Sequence, residues 1–143
     1  MAVRNYDSNG VILTADGIDV DGRPDGAFCS FSAPDDDFGH TEGNGGDHTR
    51  FRVNKRTGEL TVNVMYGSDG HRLLSSLAER DLRTGRSPFP VRLADINGGF
   101  TVVAARCYIR KRPDIEIAPE PGALEWIIVM PEYSRTDGAL TLL

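Results

Sequence analysis

Cysteine, long apolar runs and basic charge are all scarce in this sequence. The 143 residues include only two cysteines, Cys29 and Cys107, too few for the disulfide framework of a small secreted domain. The longest apolar run covers residues 126–130, whereas a membrane-spanning helix needs about 20 residues. The first residues also lack the apolar stretch of a signal peptide, so we expect neither export nor a membrane partner. The net charge of −5 argues against a nucleic-acid-binding protein.

Motifs for catalysis and nucleotide binding are missing as well. The sequence has no G-x-S-x-G motif around a nucleophilic serine and no glycine-rich phosphate loop. Cys107 lies in a segment with alternating apolar residues, where a thiol serves as a small buried hydrophobic group, and His71 stands alone near the start of a helix. We therefore expect no enzymatic activity, no catalytic residue and no cofactor. The length suits a single domain over residues 1–143.

Most of the chain shows a period of two, in which apolar and polar residues alternate as they do in β-strands. The segments 11–14 and 18–20 flank an Ala-Asp-Gly turn and predict a hairpin. The fold is therefore expected to be mostly β and antiparallel. Further strands are predicted at residues 28–33, 50–54, 60–66, 89–94, 103–110 and 124–130.

Short connections predict two details of strand pairing. The strands at 50–54 and 60–66 are joined by few residues and are expected to pair antiparallel. The Asn-Gly-Gly sequence at 97–99 predicts a tight turn before the long strand at 103–110. Four residues of that strand are expected to share one core-facing side: Val103, Ala105, Cys107 and Ile109.

One segment has the helical period instead, and it predicts an α-helix at about residues 69–84. Ser68 or Asp69 can cap its start, and Gly85 stands where a left-handed C-terminal residue is needed. A single amphipathic helix beside many strands would cover one open face of an antiparallel β-barrel or sandwich. Its apolar face consists of Leu73, Leu74, Leu77, Ala78 and Leu82.

A long acidic segment at about residues 34–48 cannot form a core of its own. It contains four aspartates, four glycines and one large apolar residue, Phe38. Because predicted strands flank it, we expect a hairpin extension that projects from the body and orders only when it meets a partner. Its acids do not follow the EF-hand spacing, and His40 and His48 lie on no rigid element, so we expect no metal site.

Charge is distributed unevenly along the chain. Residues 7–42 contain nine acids and one base, residues 80–112 contain eight bases and two acids, and residues 114–132 contain five acids and no base. Two interpretations stay open at this point. The charges either belong to solvated surfaces whose signs vary, or they form opposed faces suited to contact between copies of the protein.

The order of several segments is similar to a known family. These segments are Tyr6-Asp7, Ile18-Asp19-Val20-Asp21-Gly22, Asp25-Gly26-Ala27-Phe28, Asp36-Asp37-Phe38, Arg50, Gly58-Glu59-Leu60-Thr61-Val62, Tyr66-Gly67-Ser68 and the helix leucines. Together they resemble the tail tube proteins of contractile-tailed bacteriophages over roughly residues 5–82, and the later strands agree in outline. The glycine-rich residues 43–47 are looser than the corresponding loop of that family.

This resemblance implies a structural, self-assembling protein of the virion tail, assembled in the host cytoplasm. Six copies would form a ring, and stacked rings would form a hollow tube inside a contractile sheath, through which DNA passes without specific binding. The partners would be other copies, the sheath protein, and the initiator, baseplate and terminator proteins of the tube. The contact loop would comprise Asp35, Asp36, Asp37, Phe38, His40, Glu42, Asp47, His48 and Arg50, and the residues facing the lumen or an interface would be Arg52, Asn63, Arg92, Arg106 and Arg110.

Other interpretations stay open beside the tube subunit. The protein could be a tail terminator or completion protein that forms one ring at the tube end. It could also be a small β-sandwich module that binds a ligand with the acidic loop. Secretion-system tubes and phage-derived injection machines share the same architecture. In the tube interpretation, we expect most arginines on polar strand faces to pair with acids of the same or a neighbouring subunit.

Overall fold

The described residues fold into ten strands and one helix. The computed structural model describes residues 10–24, 26–96 and 99–137. The predicted hairpin at the start is confirmed, since Thr14 pairs with Asp19 and Ala15 with Ile18. The elements are β1 (Val11–Ala15), β2 (Ile18–Asp19), β3 (Cys29–Ser32), β4 (Phe38–Glu42), β5 (His48–Arg52), β6 (Thr57–Met65), α1 (Asp69–Thr84), β7 (Phe89–Asp95), β8 (Thr101–Lys111), β9 (Ala123–Pro131) and β10 (Ser134–Thr136).

The main sheet is antiparallel throughout and remains open. Its strand order is β2-β1-β7-β8-β9-β6-β3, and β10 pairs with the first residues of β8. Within the described ranges, the end strands β2 and β3 do not pair with each other, so the sheet is sandwich-like and not a closed barrel. The predicted mostly β fold with one flanking helix is therefore confirmed, and of the two predicted forms the structure has the sandwich.

The core lies between the helix and the sheet. In β6, buried and partly buried residues alternate without interruption, and Leu60, Val62 and Val64 are completely buried. Trp126 and Ile128 of the neighbouring strand β9 are buried against them. Burial of a large apolar side chain contributes about 1.5–3 kcal/mol, so this cluster is the main source of stability.

The helix begins and ends as its sequence predicts. The Ser68 hydroxyl accepts a hydrogen bond from the His71 backbone N–H at 3.2 Å, which caps the first turn. Gly85 adopts a left-handed conformation with φ of 68° and donates its N–H to the Asp81 carbonyl at 2.6 Å. In the described part of the chain, no helix is long and apolar enough to span a membrane.

The predicted apolar face of the helix is right except at its last position. Leu74, Leu77 and Ala78 are buried, and Leu73 packs partly against the same cluster. Leu82, in contrast, is 68% exposed. It lies eight residues after Leu74, which rotates it about 80° around the helix axis and away from the sheet.

The predicted pairing between the strands at 50–54 and 60–66 is wrong. β6 already uses both of its edges, one for β3 and the other for β9, so neither edge is open to the preceding strand. β5 pairs instead with β4 in a separate two-stranded sheet. The short link at residues 53–56 therefore returns the chain to the body instead of turning a hairpin.

The predicted inward face of β8 is also wrong in part. Val91 pairs with Ala104 and Phe89 with Cys107, so three residue steps on β8 match two on β7. This bulge shifts the side-chain alternation by one. Val102, Ala104 and Cys107 are buried, whereas Val103 and Ala105 face outward and Ile109 is partly buried. The predicted turn residues 97 and 98 lie outside the described residues.

The first turn of the helix packs directly on the backbone of residue 21. A Cβ atom built on Gly70 would stand 2.0 Å from the Asp21 carbonyl oxygen, so only glycine fits there. Gly70 is buried. Gly22, which follows Asp21 directly, has a positive φ of 92°. The close approach fixes where the helix starts over the sheet.

Replacing Gly70 with alanine is predicted to destabilise the protein. Alanine gains about 1 kcal/mol of helix propensity, but the overlap with a backbone atom cannot be relieved by a rotamer change. We expect a net loss of about 1–3 kcal/mol in the free energy of unfolding, measured by urea denaturation. Gly26→Ala is the control, because a Cβ there meets no atom within 4 Å. Equal stability of the two variants would contradict the packing described.

Candidate functional site

The acidic segment forms a projecting hairpin, as expected from the strands that flank it, and the hairpin has regular strand pairing. β4 and β5 pair over five positions, and the Gly43 N–H donates to the Asp47 carbonyl at 2.8 Å across the turn. The Val53 N–H donates to the Asp37 carbonyl at 3.0 Å and closes the base. All residues from 40 to 52 are exposed. The hairpin is therefore a projecting element outside the core.

One face of the hairpin carries aromatic and charged side chains. The Arg50 guanidinium lies 4.6 Å from the centre of the Phe38 ring, and the rings of His40 and His48 stack with centroids 4.9 Å apart. The Glu42 carboxylate lies 3.6 Å from His48 Nδ1. Register pairing explains this arrangement, because His40 lies opposite Arg50 and Glu42 opposite His48. Six of the nine predicted loop residues thus belong to one ordered strand pair or its turn.

The opposite face of the hairpin exposes a second aromatic ring. The Phe51 ring occupies the space that a side chain at Gly39 would need, and half of its surface stays exposed. Phe38 is exposed to a similar degree on the other face. An apolar ring on each side of a thin hairpin is typical of an element that another protein covers.

The acids before the hairpin lie along the body of the protein. Asp37 forms an ion pair with Arg56, and hydrogen bonds from Arg56 to Asp37 and Tyr133 raise the pKa of Arg56 above its usual value. Asp35 and Asp36 line the same polar hollow, which has a volume of about 660 Å³. Among the residues that the structure describes, no three His, Cys, Asp or Glu side chains are placed to hold a metal ion.

The predicted polar-face residues are scattered over different surfaces. Arg110 forms an ion pair with Glu59, and the Asn63 amide donates to the Ala27 carbonyl at 3.2 Å. Arg52, Arg92 and Arg106 are exposed, and none of them forms an ion pair with another described residue. Pairing of these three arginines with a neighbouring subunit stays a prediction.

Neither thiol has the environment of a reactive cysteine. Burial raises the pKa of Cys107 to about 11, and it also raises the pKa of Cys29 despite the nearby charge of Arg23. A thiol with a raised pKa is protonated at neutral pH and is a poor nucleophile. Cys107 therefore acts as a core side chain, as its position in the sequence predicts.

Sequence reasoning missed an apolar groove at the open side of the sheet. The groove has a volume of about 660 Å³, and it lies between β3 with its preceding residues and the strands β1, β7 and β8. Arg23 lies beside it, donates to the Val11 carbonyl, and stacks 4.6 Å from the centre of the Phe28 ring. No local pattern predicts this groove, because its walls come from distant parts of the chain. Its apolar lining includes Val11, Phe28, Phe31, Leu93, Phe100 and Val102.

The comparisons with known proteins find no match in sequence and clear matches in fold. No protein-family model and no curated protein matches this chain. The cap of the anti-feeding prophage, which terminates its tube, matches with a TM-score of 0.56 and 10% identity over 96% of this chain and 95% of the cap. This chain has the fold of contractile injection system proteins.

Two structures from the extracellular contractile injection system PVC have the same fold. The sheath/tube terminator matches with a TM-score of 0.54 and 10% identity over 95% of this chain and 99% of the terminator. A chain of the sheath–tube complex matches with a TM-score of 0.54 and 11% identity over 89% of this chain and 88% of that chain. The resemblance found in the sequence is thus confirmed for the fold of contractile-tail proteins, but not for the phage tube subunit in particular.

His71 is predicted to make the protein less stable in mild acid. Its ring lies between Tyr66 and Trp126, its Nδ1 atom has no hydrogen-bond partner among the described residues, and burial together with the charge of Arg72 lowers its pKa below 6.5. Because the pKa of His71 is lower in the folded state, the unfolded state binds the proton more readily. The neutral ring therefore contributes to the free energy of unfolding above pH 6.5, and this contribution is lost as the pH falls below 6.5.

The pH effect can be isolated with the variant His71→Gln. Between about pH 7.5 and pH 5, we expect the free energy of unfolding to fall more for the native protein than for the variant, as measured by thermal unfolding. His40 and His48 are present in both proteins and cancel in the comparison. Parallel pH profiles would show that His71 titrates equally in the folded and unfolded states.

Removing the hairpin is predicted to leave the fold intact. Asp37 and Val53 are hydrogen-bonded neighbours, so an Asn-Gly linker can replace residues 38–52 without moving the body. Because the hairpin buries almost none of its side chains, we expect the free energy of unfolding to change by less than about 1 kcal/mol, as measured by thermal unfolding. Leu77→Asp is the destabilising control, because a buried charge beneath the helix should lower the free energy of unfolding by about 3 kcal/mol or more. If the linker variant failed to fold, the hairpin would be required for folding, which would contradict this prediction.

Proposed function

We propose that this protein is a structural ring-forming component of a contractile tail or injection system, and that it caps the end of the inner tube. The observation that carries the proposal is the full-length agreement in fold with two proteins described as a tube-terminating cap and a sheath/tube terminator. Both agreements extend over at least 95% of each chain, so no large part of either protein lacks a counterpart. The terminator alternative is therefore preferred over the tube subunit.

The surface of the protein fits this function. A ring subunit needs side chains that bind neighbouring copies, and this chain carries exposed apolar groups on projecting elements such as the hairpin. We place the loop residues Asp35 to Arg50 at contacts with a neighbouring copy or with the tube beneath. The sheath and tube proteins are the other proposed partners, and the tail is the proposed location.

The charge of the subunit suits a conduit. A ring at the end of a tube must let DNA or another cargo pass, and many unpaired lysines and arginines in the bore would hold phosphates by counterion release. The net charge of −5 disfavours such retention on average. We expect Arg52, Arg92 and Arg106 to meet acids across subunit boundaries and not to line the bore as a free ring.

A tube subunit remains the second candidate function. It is favoured by the match to a chain of the sheath–tube complex, although that match covers less of both chains than the matches to the cap and the terminator. The two candidates differ in one property, because tube rings stack on both faces whereas a terminator ring presents only one stacking face. Stacking in the absence of other proteins therefore distinguishes them.

The proposal predicts closed rings that do not elongate. We expect negative-stain electron microscopy and light scattering, over a series of protein concentrations, to show six-fold rings of constant height and mass. Tubes whose length grows with concentration would instead establish the tube subunit. A monomer at every concentration, including the highest attainable, would contradict a ring-forming protein of either kind.

A further inference from the structure

The connection between β8 and β9, residues 112–122, exposes two isoleucines almost completely. Ile115 is 91% exposed and Ile117 is 95% exposed, the highest values among the large apolar residues of the described chain. Their spacing of two would place both side chains on one side if the segment paired as a strand. Asp114 and Glu116, which alternate with them, line a hollow beside β9. The segment therefore presents two large apolar side chains to solvent.

The same segment has no strand partner. From residue 113 to residue 121 its backbone makes no hydrogen bond to another described residue. Pro113 and Pro119 bracket it and limit the stretch that can pair to residues 114–118. The two prolines also restrict the backbone at both ends of this stretch, which lowers the entropy lost on binding. A short, rigid strand with an apolar face is suited to adding to the edge of another sheet.

The open edge of β3 has the matching length and chemistry. β3 has four residues, Cys29–Ser32, and in the described chain it pairs only with β6, so its other edge offers backbone N–H and carbonyl groups. The apolar groove described above lies directly along this strand, with Cys29 and Phe31 in its wall. An edge strand beside an apolar groove is a site for strand addition.

Charge complements the apolar fit. Residues 112–122 carry three carboxylates and one guanidinium, whereas the charged side chains that border the groove among the described residues are Arg23, Arg135 and Asp137. Arg135 already pairs with Asp137 at 3.0 Å and remains about half exposed. Counted over the described residues, the segment and the border of the groove have opposite net charge, which favours their encounter and orientation.

The groove and the segment lie at opposite ends of one strand. The segment follows Lys111 at the end of β8, whereas the groove contains Val102 at its beginning. Nine residue steps of extended strand separate these two positions by about 30 Å, so a segment cannot reach the groove of its own chain. If this segment fills a groove, the groove therefore belongs to a second copy. Contact between two different surfaces is heterologous and generates a ring when the rotation between copies closes.

We propose that residues 114–117 of one copy add as a short strand to β3 of the next copy, with Ile115 and Ile117 in its apolar groove. This inference rests on the proposed function, because it identifies the contact that joins neighbouring subunits within a ring. No residue of the hairpin lines the groove, so the hairpin stays available for a contact with the tube. Strand addition also covers the open edge of β3, which would otherwise remain available for uncontrolled pairing.

A cysteine cross-link tests the contact directly, because the groove already contains Cys29. The variant Ile115→Cys is oxidised at mildly alkaline pH, which offsets the raised pKa of Cys29, and the products are analysed by non-reducing electrophoresis and mass spectrometry. We expect a ladder of covalent oligomers linked through residue 115 of one copy and Cys29 of the next. Cys107 is completely buried and takes no part.

Two variants serve as controls. Adding Cys29→Ser to Ile115→Cys should abolish the ladder, and Leu82→Cys, which places a thiol at an exposed apolar position on the helix, should not link to Cys29. Links between two copies of residue 115 that survive Cys29→Ser would overturn the proposal. So would the absence of any link in a sample that light scattering shows to consist of rings, in which case the proposed function stands without this contact. Absence of both rings and links would overturn both.

The affinity of the contact can be measured separately. Replacing both isoleucines with serine should weaken self-association at least about 100-fold, because both side chains lose their buried surface. The temperature of unfolding of the dilute subunit should not change, since neither isoleucine contributes to its core. Leu82→Ser should leave the association unchanged. Equal association of the double variant and the native protein would overturn the proposal.

Discussion

An open sheet edge is the constraint on which the rest of this structure depends. β6 is paired on both sides, with β9 along its full length and with β3 along half of it, and β3 then ends the sheet. The far end strand, β2, has only two residues and does not reach round to close a barrel. An open, curved sheet leaves a groove beside its last strand and unpaired backbone groups along it. Both features are unfavourable in an isolated subunit and favourable in an assembly.

The projecting elements follow from the same constraint. The chain must leave β3 and return to start β6 antiparallel to it, and the hairpin of β4 and β5 is inserted in that connection. Because β6 offers no free edge, the hairpin pairs only with itself and keeps an exposed phenylalanine on each face. Apolar groups on thin projections contribute little to folding but much to association. The molecule is thus stabilised by its core, whereas the exposed apolar groups of its periphery are the surfaces that the proposed assembly would cover.

Local sequence signals predicted what depends on local interactions. The helix bounds followed from Ser68 and Gly85, whose capping hydrogen bonds involve residues a few positions away, and the first hairpin followed from its Asp-Gly turn. The pairing of β5 could not be predicted, because it depends on the distant strands that occupy β6. The bulge in β8 could not be predicted either. One inserted residue reverses the alternation of inward-facing and outward-facing side chains after Ala104 without changing the composition.

In the candidate site, too, the sequence predicted the local features but not those that depend on distant residues. The acidic loop was found from composition alone, but its order was not, because the stacking of His40 on His48 and of Arg50 on Phe38 depends on cross-strand register. The groove brings together Val11, Phe31 and Val102, which no window of sequence contains. Ile115 and Ile117 are visible in the sequence as two apolar residues between prolines, yet their exposure becomes apparent only when β8 and β9 are in place.

A cryo-electron microscopy map of the assembled particle tests the central claim, that the open edge of β3 is completed by a neighbouring copy in a closed ring. The account predicts one ring, with continuous density along the outer edge of β3 that connects to the β8–β9 segment of the adjacent subunit. It also predicts that the hairpin lies outside this lateral contact. A ring in which the β3 edge faces solvent, or in which the subunits meet through a two-fold axis, would contradict it.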